Sequence, residues 1–193
     1  SDQEPLRLFV DENVMFVGTM NEDESTLALS DKVIDRSNVL RFGSPKTIQP
    51  QAKIAKELDI APKLLHSDWQ FWGRTQHDLV EDDQRKLLKW IEIVRDALSS
   101  VGRPFAYRVV YGMLDYAANY PEVENRIEHA MADQIEQRVL PKLIGMDNHE
   151  SASQVALQTI QKVLAEIGDN ALQQEIQSCS KKDYFQWNGL DRT

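Results

Sequence analysis

Beyond Pro50, apolar residues recur in steps of three and four, and this spacing constrains the fold more than any other feature of the sequence. An α-helix has about 3.6 residues per turn, so such steps place apolar side chains on one helical face. We therefore expect residues 46–193 to form an all-helical domain. The clearest stripes are Leu87, Ile91, Val94 and Leu98; Val123, Ile127, Met131, Ile135 and Val139; and Val155, Thr159, Ile160, Val163 and Ile167.

Glycine and proline divide this region into separate helices, because residues before proline are biased away from the helical conformation. The segment between Arg103 and Tyr120 is dense in large apolar groups, which predicts a helix at the buried centre of the bundle. The expected breaks fall at Gly102 and Pro104, at Pro121, at Pro141 and Gly145, and at Gly168.

Residues 1–45 have a different pattern. The apolar run Asn13–Thr19 is typical of a strand buried in a parallel sheet, and Val39–Phe42 is a second short run. Between them, Ser25 is a candidate N-cap for a helix that ends near Ser37. Gly43–Pro50 has no apolar periodicity and is expected to connect the two parts. The predicted fold class is mainly α, with one or two strands of an α/β core before the helical domain.

Charge and composition exclude several classes of protein. The 193 residues include 31 acidic side chains and 22 lysines and arginines, a formal net charge of -9, so we do not expect direct DNA binding. The single cysteine excludes a disulfide scaffold, and no stretch approaches the roughly 18 apolar residues of a membrane span. We expect a cytoplasmic protein without membrane association. No metal site is expected, because the four histidines lack ligand spacing: His66, His77, His129 and His149.

Asn21 follows the predicted strand within the string GTMN. The carboxyl ends of parallel strands are where open α/β sheets bind ligands. An amide at this position is able to orient an attacking water beside a nucleotide phosphate. The alternative is that Asn21 caps a turn, as asparagine often does.

The segment Val14–Phe42, with GTMN, a helix and then DR and LRF, resembles the AAA+ ATPase superfamily, in particular the McrB-type NTPases of modification-dependent restriction systems. Asp133–Leu143 (DQIEQRVLPKL) also resembles the helix that closes the lid of those proteins. The resemblance implies that Asn21 is the sensor 1 residue and that Arg36 is an arginine finger. Residues 1–45 would then be the C-terminal end of an AAA+ core, and residues 46–193 its helical lid.

The finger role has a physical basis, because a guanidinium supplied by a neighbouring subunit stabilises the charge of phosphoryl transfer. The alternative for Arg36 is a surface ion pair with Asp31 or Asp35. Arg41 is a second catalytic candidate, and its alternative is a strand-end charge exposed to solvent.

Two arginines near the central helix are nucleotide-binding candidates. AAA+ lids commonly place a sensor 2 arginine at the start of a comparable helix, where it touches the nucleotide phosphates. Arg108 is the better match and Arg103 is the other candidate. For both, the alternative is an interhelical salt bridge.

No P-loop string GxxxxGK[ST] occurs in these residues, so the chain by itself is not expected to hydrolyse nucleotide. Leu8–Asn13 imitates a Walker B strand, but it lies too close to GTMN for two parallel strands, and its residues VDEN (10–13) are interpreted as the turn that leads into the strand before GTMN. The resemblance therefore implies a C-terminal fragment whose P-loop and Walker B lie upstream of Ser1. In the complete protein the cofactor would be ATP or GTP with Mg²⁺.

A finger acting between subunits implies a head-to-tail ring of identical subunits, commonly six, and the family likeness adds a nuclease or other effector subunit as a partner. A different hypothesis is a helical protein–protein interaction module with no nucleotide role. Two aromatic clusters motivate it, although both are predicted to pack against the bundle, the second as a C-terminal anchor. They are Trp69, Phe71 and Trp72, and Tyr184, Phe185 and Trp187.

Overall fold

The computed structural model describes residues 10, 14–21, 29–43 and 63–190. These residues are mainly helical, as predicted. The helices are α1 (Asp31–Ile34), α2 (His66–Trp72), α3 (Glu81–Ser100), α4 (Tyr107–Ala118), α5 (Arg126–Gln134), α6 (Leu140–Leu143), α7 (Ser151–Ile167) and α8 (Asn170–Cys179), with a 3₁₀ turn at Gln76–Asp78 and a π-helical turn at Ile135–Val139.

The long helices α3 and α7 pack against each other along the bundle. The stripe predicted on α3 is confirmed, because all four of its residues are buried. The stripe predicted on α7 is partly wrong, since Val155 is 60% exposed and Ala156 is buried instead. The buried face of α7 follows the steps Ala156, Ile160, Val163 and Ile167, and Val155 lies one residue, about 100° around the helix, away from it.

The helix predicted between Arg103 and Tyr120 is present as α4, which contacts both α3 and α5. Its burial is only partial, because the buried residues recur in adjacent pairs every four positions and cover about half of the circumference. Tyr107 and Tyr111, on the other side, are 64% and 49% exposed. The buried residues of α4 are Val109, Val110, Met113, Leu114, Ala117 and Ala118.

The break predicted at Pro141 and Gly145 occurs only at the glycine. Helical structure runs without interruption from Arg126 through the π-helical turn to Leu143. Pro141 is the second residue of α6, directly after the π-helical turn, and the helix continues through it although proline donates no backbone hydrogen bond. Gly145 follows the helix with a φ of 76°, a conformation that glycine adopts without strain. Val123 precedes α5 and is 51% exposed, so it does not belong to the predicted stripe.

The strands predicted before residue 45 are not observed. Residues 14–20 have no regular secondary structure and are exposed. Phe42 forms one isolated parallel bridge with Leu190, and the described residues contain no strand. A strand needs hydrogen-bonding neighbours, and no second strand accompanies these segments in the part of the chain that the structure describes. Ser25, most of Leu8–Asn13, and most of Gly43–Pro50 with the 45/46 boundary lie outside the described residues.

The C-terminal anchor is confirmed. Phe185 and Trp187 are 0% and 1% exposed, whereas Tyr184 is 57% exposed. The backbone of Phe185 exchanges hydrogen bonds with the loop after α6, accepting from Gly145 N at 2.9 Å and donating to Met146 O at 2.8 Å. The chain after α8 thereby closes one end of the bundle, next to the segment that carries α1.

Candidate functional site

The four-residue helix α1 is docked on α6 through a buried lysine. Lys142 is 2% exposed, and its Nζ lies 2.7 Å from Oδ1 of Asp35 and 3.7 Å from Oδ1 of Asp31. Beside this contact, Ile34 is 5% exposed. A buried ammonium requires a charged partner, because taking the charge out of water is otherwise costly. The two carboxylates of α1 supply that partner.

Arg36 lies one residue beyond this ion pair and is exposed. The alternative that it pairs with Asp31 or Asp35 is wrong, because neither carboxylate forms an ion pair with Arg36 and Asp35 lies 2.7 Å from Lys142 instead. With respect to the residues described, its guanidinium makes no ion pair or hydrogen bond. The arrangement leaves a positive charge directed to solvent at the end of a fixed helix.

A second cation lies beside α1. Arg138 donates from Nε to Oε1 of Gln134 at 2.8 Å, and its guanidinium lies against Gly112 of α4, where an added Cβ would be 3.3 Å from Nη2. Burial lowers the pKa of Arg138, and the charge of Asp35 opposes that shift. We call Lys142, Arg138, Asp31 and Asp35 the α1 dock.

Arg41 is tied to the C-terminal anchor. Its Nη1 donates to the carbonyl oxygen of Trp187 at 3.0 Å, and the side chain is partly buried. The alternative of a charge exposed to solvent is therefore wrong. The next residue, Phe42, forms the bridge to Leu190, and Gly189 lies against the backbone between Arg41 and Gly43. This contact is a second attachment of the α1 segment to the helical body.

The two nucleotide-binding candidates of the central helix have different environments. Arg103 is partly buried, and its Nη1 donates to the carbonyl oxygens of Lys142 and of Ile144, the latter at 3.0 Å. Arg108 is exposed on the first turn of α4, and its side chain forms no hydrogen bond or ion pair with the other described residues. Neither arginine forms the interhelical salt bridge considered as the alternative.

The predicted site residues are thus brought together only in part. Arg103 donates to the carbonyl of Lys142, and the side chain of Lys142 pairs with Asp35, the residue before Arg36. Arg41 holds the same N-terminal segment at the anchor. Asn21 lies in the exposed segment 14–21.

Sequence reasoning missed the residues of the α1 dock. The available signal was Lys142, a lysine enclosed by the apolar residues of the string VLPKL. Lysine is almost never fully buried unless it is paired, so a lysine in such a run predicts a buried ion pair. Its carboxylate partners could not be located from the sequence.

The first aromatic cluster does not pack against the bundle, so that prediction is wrong. Trp69, Phe71 and Trp72 are 52%, 87% and 60% exposed. The helix that carries them is followed by Arg74, whose backbone N–H donates to Oδ1 of Asn119 at 2.8 Å and whose side chain pairs with Glu122. The contacts of Arg74 attach the residues after α2 to the end of α4 and leave these aromatic rings in solvent.

Within the described residues, no helix has the length and apolar character needed to cross a membrane. The same residues contain no group of three or more His, Cys, Asp or Glu side chains arranged to hold a metal ion. At the α1 dock, the cations Lys142 and Arg138 face the carboxylates of Asp31 and Asp35, and the neighbouring Arg36 is exposed.

The fold and these contacts define a helical bundle domain with a short N-terminal segment docked on its side. The chain belongs to the family described as Domain of unknown function (DUF8727), whose family model matches residues 59–184. Arg103, Arg108 and Lys142 lie within the match, and Asn21, Arg36 and Arg41 precede it. Searches of curated proteins and of solved structures found no match.

Proposed function

We propose that this chain contributes the sensor 1 residue, an arginine finger and the helical lid to an AAA+ NTPase similar to the McrB-type proteins. The observation that carries the proposal is Arg36, an exposed guanidinium on a docked helix whose own carboxylates are engaged by Lys142. An arginine finger needs this combination of a fixed backbone and a charge available to the neighbouring subunit.

In this proposal the substrate is ATP or GTP, with Mg²⁺ supplying charge neutralisation when bound. Arg36 inserts toward the terminal phosphate bound by the adjacent subunit, and Asn21 orients the attacking water in its own subunit. Arg108, exposed at the start of α4, contacts the phosphates from the lid. The sequence contains no P-loop, so the proposal requires one from a segment outside these 193 residues.

A finger acting in trans implies a head-to-tail ring, commonly of six subunits. A nuclease or another effector as a further partner, and a role in restriction, belong to the proposal through the family likeness alone. The acidic net charge of the chain supports a protein partner rather than direct contact with DNA.

The decisive experiment is Arg36→Ala in the ring-forming protein that contains this chain. We expect turnover to fall by about 10³-fold or more while nucleotide affinity changes only a few-fold. Arg85→Ala is the matched control, because Arg85 is an exposed arginine whose ion pairs with described residues lie within its own helix, with Glu81 and Asp82. Turnover of the Arg36 variant within about tenfold of wild type would contradict the finger assignment.

The second candidate is a helical interaction module without a nucleotide role. The observation in its favour is the exposure of Trp69, Phe71 and Trp72. A P-loop and a Walker B segment in the sequence upstream would favour the motor. If nucleotide turnover in the complete protein is unaffected by both Asn21→Ala and Arg36→Ala, the interaction module becomes the better hypothesis.

A further inference from the structure

We propose that Lys142 is a positioning residue for Arg36, holding the finger-bearing segment on the lid and keeping its two carboxylates from pairing with the finger itself. This inference rests on the proposed function, because it needs Arg36 to act as a finger. The relationship is the ion pair that joins Lys142 to Asp35, the residue immediately before Arg36.

The first step of the argument is the length of α1. A helix of four residues has one turn and does not persist alone in water. Its position is therefore set by its contacts with the helical body, namely the burial of Ile34 and the ion pair to Lys142. Arg36 directly follows this contact and takes its position from it.

The second step concerns the chain segment that carries Lys142, at the end of α6. Arg103 donates hydrogen bonds to the backbone carbonyl of Lys142 and to that of Ile144. These bonds hold the C-terminal end of α6 against the chain just before α4. Lys142 thus lies in a segment that is held on one side by α6 and on the other by the guanidinium of Arg103. Its ion pair with Asp35 fixes the position of α1 relative to that segment.

The third step is electrostatic. Asp31 and Asp35 are the acidic residues of the helix that precedes Arg36. If Lys142 did not occupy them, they would be the nearest anions in sequence to the Arg36 guanidinium. A guanidinium paired within its own subunit would not extend to a phosphate in the next one. Lys142 removes that competition chiefly at Asp35, because the two side chains are 2% and 27% exposed and water screens this pair little, whereas Asp31 is 3.7 Å away and 74% exposed.

The experiment is Lys142→Met in the ring-forming protein, because methionine keeps the buried length of lysine and removes its charge. We expect turnover to fall at least about tenfold with nucleotide affinity within about threefold of wild type, the pattern of lost transition-state stabilisation. Lys142→Arg, which keeps the charge, should lose less. Lys181→Met is the matched control, the same substitution at an exposed lysine.

Two further readouts separate positioning from a loss of folding. In the Arg36→Ala background, Lys142→Met should cause no additional loss, because both changes act through one guanidinium. In mixed rings, subunits with Asn21→Ala should restore turnover to Lys142→Met subunits as they do to Arg36→Ala subunits. If Lys142→Met does not fold, Lys142→Gln, which also removes the charge and keeps both carboxylates, replaces it in the same comparisons.

The outcomes are distinguishable. If Arg36→Ala retains turnover, the proposed function itself is contradicted. If Arg36→Ala is inactive while Lys142→Met, or its replacement Lys142→Gln, has wild-type turnover, only the positioning role is overturned. An additional loss in the double variant, or failure of the mixed rings, also overturns the positioning role and leaves the finger assignment in place.

Discussion

A guanidinium nitrogen of Arg103 lies 3.0 Å from the carbonyl oxygen of Ile144 and also donates to the carbonyl of Lys142. Carbonyls at the end of a helix have no partner within the helix, and a charged donor stabilises them through both the hydrogen bond and the helix dipole. Arg103 therefore stabilises the end of α6, the segment on which α1 is docked through Lys142.

Arg103→Ala should lower the free energy of unfolding by about 1.5–3 kcal/mol, the range for hydrogen bonds that involve a charged group. Arg108→Ala is the control, because Arg108 is exposed and its side chain has no hydrogen-bond or ion-pair partner among the described residues. The free energy of unfolding of this variant should lie within about 0.5 kcal/mol of wild type. Urea denaturation of both variants measures the difference. Equal stabilities of the two variants would show that the hydrogen bonds of Arg103 contribute nothing to the free energy of unfolding.

Gly189 should not tolerate alanine. Its φ is 88°, and an added Cβ would overlap the carbonyl oxygen of Arg41 and approach Gly43 N to 2.9 Å. Gly145 has a φ of 76° with open space around it, so Gly145→Ala isolates the conformational cost of about 1–2 kcal/mol. We expect the melting temperature of Gly189→Ala to lie clearly below that of Gly145→Ala. A result in the reverse order would argue against the contact between the two chain segments.

Trp187→Ala should destabilise the chain by about 3–5 kcal/mol, since this side chain is 1% exposed and its loss leaves a large cavity. Trp72→Ala removes the same side chain from a site that is 60% exposed, and it should change stability by no more than about 0.5 kcal/mol. Chemical denaturation compares the two. A large loss for Trp72→Ala would mean that the aromatic residues of α2 pack in solution.

The pair of His149 and Asp183 should make stability depend on pH. Nε2 of His149 lies 3.0 Å from Oδ1 of Asp183, and this hydrogen bond, with the nearby charge of Asp147, raises the histidine pKa. Because the folded-state pKa is the higher one, the stabilisation is complete below the unfolded-state pKa and disappears as the pH rises through the folded-state value.

Wild type should therefore exceed Asp183→Asn in stability by more at about pH 5.5 than at about pH 8.5. An NMR titration should also give a higher pKa for His149 in wild type than in the variant. If the pKa of His149 is the same in both proteins, the ion pair does not form in solution.

Several structural features could be predicted because they depend on local pattern. The stripe of Leu87, Ile91, Val94 and Leu98 follows helical period, and its burial needs no knowledge of the partner helix. The buried aromatics of the C-terminal anchor were predictable for a related reason, since large apolar side chains gain most from leaving water. Where the pattern left a choice of face, as at Val155 on α7, only packing settled it.

The sequence also indicated Arg36 as an arginine-finger candidate and Arg103 as a nucleotide-binding candidate, but it did not indicate what either side chain contacts. Arg103, a nucleotide-binding candidate, holds the end of α6, and Trp69 and Trp72 are exposed although aromatic residues usually pack. The π-helical turn and the helical position of Pro141 also could not be predicted from local sequence pattern. The helix continues through Pro141 directly after a π-helical turn, and whether a helix admits a proline depends on the backbone hydrogen bonding around it.

By itself, the sequence determined that this chain is a helical protein with a GTMN segment before the bundle, because periodicity and short motifs are properties of neighbouring residues. Only the tertiary structure decided that Lys142 is buried against Asp31 and Asp35, and that Arg36 is thereby left exposed. The physical reason is that the free energy of a charged side chain depends on which residues, distant in sequence, exclude water from it and pair with it. That choice is made by the packing of the whole chain.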